Sequence, residues 1–232
     1  MAASRSILLV HGAWHGAWCW DAVIDALEPD AAVAVDLPGH GSSDRPLGDL
    51  ASDVATVVAA AEAIGGGVTL VGHSYGGMVI TNAATHLHRL DRLIFLAAYR
   101  PHLGESLSEL SAQIPGDAGD TLVFSDNFST VGLNPGLAAP VFYNDCSDDD
   151  IADALPRLST QAMVTFTTPS EEDASRLEVL QTYIRCTQDR ALPLALQEQM
   201  SADVDDIVTL ESGHSPFFSM PGALADALAA RR

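Results

Sequence analysis

The chain has 232 residues, with 31 acidic against 11 basic side chains and a formal net charge of −20. That length suits one domain with a substantial core and does not require two. The charge argues against nucleic acid and anionic membranes as partners, since both would repel the chain, and it disfavours strongly anionic substrates. No apolar run approaches the roughly 18 residues of a membrane span. Residues 1–6 are too short for a leader, and Ile7 already opens an apolar run, so no secretory signal is expected. Cys19, Cys146 and Cys186 lack metal-ligand spacing, which fits free thiols in a reducing cytoplasm and no metal site.

The expected elements follow in chain order. Residues 6–10 are a buried strand, left through His11-Gly12-Ala13-Trp14-His15-Gly16-Ala17-Trp18, and a helix occupies about residues 20–27. Residues 31–36 are a second strand with a tight Pro38-Gly39-His40-Gly41 exit. Residues 49–64 read as an amphipathic helix with alanine and valine on its buried face. Residues 68–71 are a third strand, followed after a turn by a helix to about residue 87, and residues 93–98 are a fourth strand. Residues 182–186 and 207–210 are the fifth and sixth strands, and residues 221–230 a closing helix. This alternation predicts an α/β domain: a mostly parallel six-stranded sheet with helices on both faces. Residues 101–179 break the rhythm, with turn residues, acids and helical patches at 106–113, 148–155 and 171–180.

Chemistry concentrates at Gly72-His73-Ser74-Tyr75-Gly76, between the third strand and its helix. A sharp strand–turn–helix elbow strains the serine backbone and exposes its hydroxyl, and glycines two residues to either side let the backbones pass closely. A serine hydroxyl is a weak nucleophile and needs a base. His214 sits in Gly213-His214-Ser215-Pro216, just after the sixth strand, and Asp189 in the turn leaving the fifth. Strand carboxyl ends are where ligand-facing groups converge in open α/β sheets. Ser74 is then the nucleophile, His214 the base and Asp189 the group that orients the imidazole. Glu105 is the runner-up acid. Asp145, in Phe142-Tyr143-Asn144-Asp145-Cys146, is rejected because no core strand precedes it. The oxyanion would be met by the backbone N–H groups of Tyr75 and Ala13, with Gly12 allowing close approach. His11 and His15 read as loop-bracing hydrogen bonders.

Together these motifs, with Asp36-Leu37-Pro38-Gly39-His40-Gly41, resemble the α/β-hydrolase superfamily. Within it the chain is similar to the plant-type esterase and hydroxynitrile lyase family, which includes methylesterases for small hormone esters and bacterial relatives. The resemblance implies an α/β-hydrolase fold with residues 1–100 and 180–232 as core and residues 101–179 as an inserted cap over the site. It implies a serine carboxylesterase acting on small or medium neutral esters, without cofactor or metal, as monomer or homodimer. Phe124, Phe142, Tyr143, Phe217 and Gly12 are the expected substrate contacts. The alternatives are a lyase-like carbon–carbon cleavage, or a weakly catalytic small-molecule receptor on the same fold. Lyase members carry threonine or asparagine after the first histidine of the oxyanion loop, where this chain has Gly12. The better-known ones carry lysine after the catalytic histidine, where it has Ser215, and the chain contains no lysine.

Overall fold

The computed structural model describes residues 6–29 and 31–231. Residues 1–5, most of the segment read against a leader, lie outside them. Strands β1 (Ser6–Val10), β2 (Ala32–Val35), β3 (Val68–His73) and β4 (Leu90–Leu96) alternate with helices α1 (Asp21–Ala26), α2 (Leu50–Ile64) and α3 (Gly76–Ala84). The insertion holds α4 (Leu107–Gln113), β5 (Leu122–Phe124), β6 (Thr130–Leu133), α5 (Pro135–Phe142), α6 (Asp148–Ala154), β7 (Gln161–Ala162) and α7 (Met163–Thr167). The chain closes with β8 (Leu180–Cys186), α8 (Leu194–Met200), β9 (Asp206–Leu210), α9 (Pro216–Ser219) and α10 (Pro221–Ala229).

One sheet runs β2-β1-β3-β4-β8-β9, and every neighbouring pair in it is parallel. Successive strand side chains point to opposite faces. Leu8 and Val10 join Leu70, Leu93 and Phe95 in one cluster, with Val54 and Val57 of α2 and Val79 and Ile80 of α3. Ile7 and Leu9 join Val71, Ile94 and Ile184 in the other, with Val23 of α1 and Leu224 and Leu228 of α10. Strands buried on both faces explain the continuous apolar runs. Val131, Phe142, Tyr143 and Phe166 of the insertion belong to the first cluster. The insertion therefore shares one core with the sheet. Helix α2 starts at a capping box in which Asp49 accepts from the Ser52 N–H and the Ser52 hydroxyl accepts from the Asp49 N–H, each at 2.9 Å. Gly65 ends it with φ 71°.

Several local expectations are corrected. Helix α3 stops at Ala84, because His86 and Leu87 bond back to the Ala83 and Ala84 carbonyls in a tighter turn. Residues 171–180 are not a helix beyond a single turn at Ala174–Arg176. Asn82 accepts from the Glu171 N–H, and the Pro101 carbonyl from the Ala174 N–H, so tertiary bonds override local propensity. The small antiparallel sheet β5-β6-β7, helix α5 and helix α8 were not expected from the sequence.

The sheet centre leaves no room at the start of α3. A Cβ on Gly76 would lie 2.8 Å from the Val10 carbonyl oxygen and 2.9 Å from that of His11. Gly76→Ala is expected to cost about 2–3 kcal/mol. Gly222→Ala, where a Cβ meets nothing within 4 Å in α10, should be neutral or stabilise by up to about 1 kcal/mol. Urea unfolding of both variants checks the contrast.

Candidate active site

Ser74 lies between β3 and α3 with φ 52°, a left-handed conformation that costs a non-glycine residue about 1–2 kcal/mol. Its surroundings hold it there. The Ser74 carbonyl accepts from the Gly77 and Tyr99 N–H groups, each at 3.1 Å, and its own N–H reaches the Leu96 carbonyl at 3.3 Å. A Cβ on Gly72 would meet the Gly76 carbonyl oxygen at 2.5 Å, so strand and helix can close on the serine only with glycine there. Ser74 borders a cavity of about 300 Å³ together with Ala13, Trp14, Tyr75, Phe142 and His214.

His214 Nδ1 and Asp189 Oδ2 are 2.7 Å apart, and both side chains are buried. The carboxylate is otherwise occupied: Oδ1 accepts from the Ala191 and Leu192 N–H groups at 2.8 Å each, and Oδ2 also from Gln197 Nε2 at 3.3 Å. With Nδ1–H donated to Asp189, Nε2 carries the free lone pair. The His214 carbonyl accepts from His73 Nε2 at 2.9 Å. Asp145 Oδ2 accepts from the Gly213 N–H at 2.7 Å, and Asn144 Nδ2 donates to the Gln188 carbonyl at 3.1 Å. The two loops carrying Asp189 and His214 are thus tied to each other and to the end of α5. Among the described residues no hydrogen bond joins Ser74 to His214. Such contacts are often long without substrate and tighten on binding.

The loop after β1 forms the facing wall. His11 Nδ1–H donates to the Gly12 carbonyl at 2.8 Å, while its Nε2 accepts from the Leu37 N–H at 3.1 Å. His15 Nδ1–H donates to the Ala13 carbonyl at 2.9 Å, and its Nε2 accepts from the Tyr143 hydroxyl at 2.8 Å. Trp14 has φ 65° and donates from Nε1 to the Val131 carbonyl at 3.0 Å. No hydrogen bond among the described residues takes the N–H of Ala13 or of Tyr75. Burial holds these imidazoles neutral: it lowers His11 to about 3 and His15 to about 4, pushes His73 well below its usual value and lowers His40.

The expected substrate contacts separate. Phe142 lines the cavity and lies edge-on to Trp14 and His214. Gly12 does not line the cavity; it packs behind Ser74, where a Cβ would lie 2.8 Å from His73 Nδ1 and 2.9 Å from the Ser74 Cβ. Tyr143 and Phe217 are buried behind the cavity wall, Tyr143 on His15 and Phe217 against His73 and Trp20. Phe124 is not brought to the site: it is 43% exposed and packs on Phe128, two residues further along β5 than Leu122, which does line the cavity. Glu105 accepts from the His102 N–H at 2.8 Å and takes no part in the cavity wall. Sequence reasoning missed Gln197, whose amide also bonds the Cys186 backbone and the Leu192 carbonyl. It stands in the polar run Gln197-Glu198-Gln199, and nothing in that run singles it out. Asp53 was missed as well. It is 2% exposed and accepts from the Tyr75 hydroxyl at 2.6 Å. No group of three or more His, Cys, Asp or Glu among the described residues is placed to hold a metal.

The buried histidines set a pH dependence. In the unfolded chain each takes a proton near pH 6.5, whereas in the fold His11 and His15 stay neutral down to about 3 and 4. The unfolded state therefore binds more protons across that window, and stability falls as pH drops below 6.5. Asp53, raised by burial to about 7, acts oppositely, since the fold keeps its proton where the unfolded chain has released it. The histidines outnumber it. The melting temperature is expected to fall from pH 7 to pH 5, and Asp53→Asn should steepen the fall. A flat or rising melting temperature on acidification would contradict the burial argument.

The alpha/beta hydrolase family model matches residues 7–227. A pyrethroid hydrolase of Sphingobium wenxiniae is 31% identical over 96% of this chain and 86% of its own length. Esterase PIR7B of Oryza sativa subsp. japonica is 28% identical over 98% of this chain and 95% of that protein. The crystal structure of a pyrethroid hydrolase from Sphingobium faniae JZ-2 superimposes with a TM-score of 0.85 at 28% identity, covering 97% of this chain and 96% of that one. With the parallel sheet and the serine elbow, the match along nearly the whole sequence has one meaning: the chain belongs to the alpha/beta hydrolase family.

Proposed function

We propose that the chain hydrolyses small or medium neutral carboxylic esters through Ser74, His214 and Asp189. Its relatives named esterase and hydrolase support carboxylester hydrolysis. The observation that carries the residue roles is the buried 2.7 Å contact of His214 with Asp189, facing the cavity that Ser74 also borders. His214 Nε2 takes the Ser74 proton as Oγ attacks the ester carbonyl. The oxyanion that develops meets the N–H groups of Ala13 and Tyr75. The tetrahedral intermediate collapses, the C–O bond to the alcohol breaks, and His214 returns the proton to the departing alkoxide. Water, deprotonated by His214, then attacks the acyl-serine and releases the acid. Asp189 keeps the imidazole in the Nδ1–H tautomer throughout.

Size and charge narrow the substrate. A cavity of about 300 Å³ suits a small or medium ester. Leu107, Ser111, Gly119 and Phe166 of the insertion help line it, which supports reading residues 101–179 as a cap. Free Cys19, Cys146 and Cys186 support a cytoplasmic setting. Among the described residues, no helix is long and apolar enough to cross a membrane.

Cyanohydrin cleavage fits less well, because departing cyanide needs a cation. Arg190 is exposed and pairs with Asp117 at 2.7 Å, and Arg100 is buried against Gln181 and Asp203. Ser215 is buried and does not line the cavity. A polar side chain at Gly12 would collide with His73 and Ser74.

Release of p-nitrophenol from acetate and butyrate esters should be clear, and release of cyanide from mandelonitrile should stay at background. Ser74→Ala should lower ester turnover by about 10⁴- to 10⁶-fold in a folded protein. Asp189→Asn should lower it by about 10²- to 10⁴-fold through the wrong tautomer, and Glu105→Gln far less. Enzymatic cyanide release with negligible ester turnover would reverse the assignment.

A further inference from the structure

Asp53 is a carboxyl in the first turn of α2, 2% exposed, and its hydrogen-bond donor is the hydroxyl of fully buried Tyr75 at 2.6 Å. Tyr75 follows Ser74 and begins the turn into α3. Its ring meets Phe166 of the insertion at 6.2 Å between centroids. Asp53 therefore holds the far end of the residue whose near end carries the N–H facing the reacting carbonyl.

We propose that Asp53 is a positioning residue for ester hydrolysis, acting through the Tyr75 phenol to keep the Tyr75 N–H and the strained Ser74 backbone in the geometry that receives the oxyanion. The inference rests on the Ser74 esterase reading. Three observations lead to it. Ser74 is held at φ 52°, and rotation toward a relaxed conformation would swing Tyr75. Tyr75 borders the cavity, yet its side chain runs away from it into the core, where the only way to anchor a phenol is to supply an acceptor. A leucine–phenylalanine pair would fill that space without burying a carboxyl, so packing alone does not call for Asp53. Burial raises the carboxyl to about 7, so it stands here at an energetic cost. The other charged groups acting on it are Asp49 and Arg45, both near the start of its own helix, and no ionised partner from the sheet or the insertion offsets the burial.

Displacement of a reacting or stabilising group by about 1 Å costs up to about 10²-fold in rate. The carbonyl oxygen gains its charge only in the transition state, so the loss should fall on kcat rather than KM. With p-nitrophenyl butyrate, Asp53→Ala and Tyr75→Phe are each expected to lower kcat by about 10- to 100-fold and to leave KM within about threefold. The double variant should match the singles, because both cut one bond. Asp53→Asn should restore most of the rate lost in Asp53→Ala, since the amide oxygen still accepts from the phenol. A purely structural Asp53 would lower the melting temperature in these variants without this kcat-specific loss or its rescue. If Asp53→Ala fails to fold, Tyr75→Phe, which removes one oxygen, decides alone. Wild-type kcat in folded Tyr75→Phe, or losses that multiply in the double variant, would overturn the inference. Absence of Ser74-dependent turnover in the wild type would instead bring down the esterase reading, and this inference with it.

Discussion

Ser74 can keep φ 52° only because the backbone around it is bare of side chains. Gly72 and Gly76 allow β3 and α3 to close within contact distance, and Gly76 also rests on the carbonyl end of β1. That contact requires β1 and β3 to be neighbours at the centre of the sheet, which they are, in parallel register from Ser6 to Val10. Both strands then deliver their exits, the histidine–glycine loop and the elbow, to the same edge. The strained turn and the central strand order are one constraint, met by small residues on each side. The adjoining β4 and β8 bring their own exits to that edge, and Asp189 follows from the second of these.

Neutral histidines do the bracing around the elbow. Gly12 C=O and Ala13 N–H belong to one planar peptide, so the hydrogen bond from His11 Nδ1 to the Gly12 oxygen also aims the Ala13 N–H. His15 fixes the next peptide in the same way and ties it to Tyr143 of the insertion. A neutral imidazole suits this task because it donates from one nitrogen and accepts at the other. A charged one would face the other rings, since His73 and His214 lie 4.6 Å apart and His11 and His40 5.2 Å. Burial removes that repulsion by keeping the protons off His11, His40 and His73. The same burial makes the cluster a liability in acid.

What was legible in the sequence was whatever local pattern dictates. The run Ile7-Leu8-Leu9-Val10, the glycine spacing about Ser74, and the strand–turn settings of Asp189 and His214 need only neighbouring residues to be read. The six-stranded sheet and the meeting of Asp189 with His214 followed from them. The insertion was less legible because its elements are short and owe their form to distant partners. Residues 171–180 carry helical composition, yet the loop is pinned to α3 by Asn82 and Ser170. Phe124 has the chemistry of a pocket wall, but it stands two residues beyond Leu122 along β5, past the cavity, and its ring meets Phe128 instead. Asp145 and Asp53 show the same limit from the polar side. One caps the Gly213 N–H from 68 residues away, the other receives a phenol from 22 away, and neither partnership leaves a mark in the local sequence.

The insertion's packing bears on how the site is assembled. Its Val131, Phe142 and Phe166 sit in the same apolar cluster as Leu8, Leu70 and Phe95 of the sheet. Trp14 crosses between the two, with its indole N–H on the Val131 carbonyl and its own carbonyl accepting from the Ser159 N–H at 2.9 Å. A cover held only by loops could swing as a unit. One that shares buried side chains with the sheet and grips the loop after β1 moves only by breaking that core, which is costly because interiors are close-packed. Substrate entry should therefore depend on side-chain and loop motion at the cavity mouth rather than on lifting the whole insertion. In that arrangement the insertion does more than help line the cavity. Through Trp14 and Tyr143 it holds the loop after β1, and through Phe166 it packs on Tyr75, so the two proposed oxyanion donors are each steadied from the same side of the molecule.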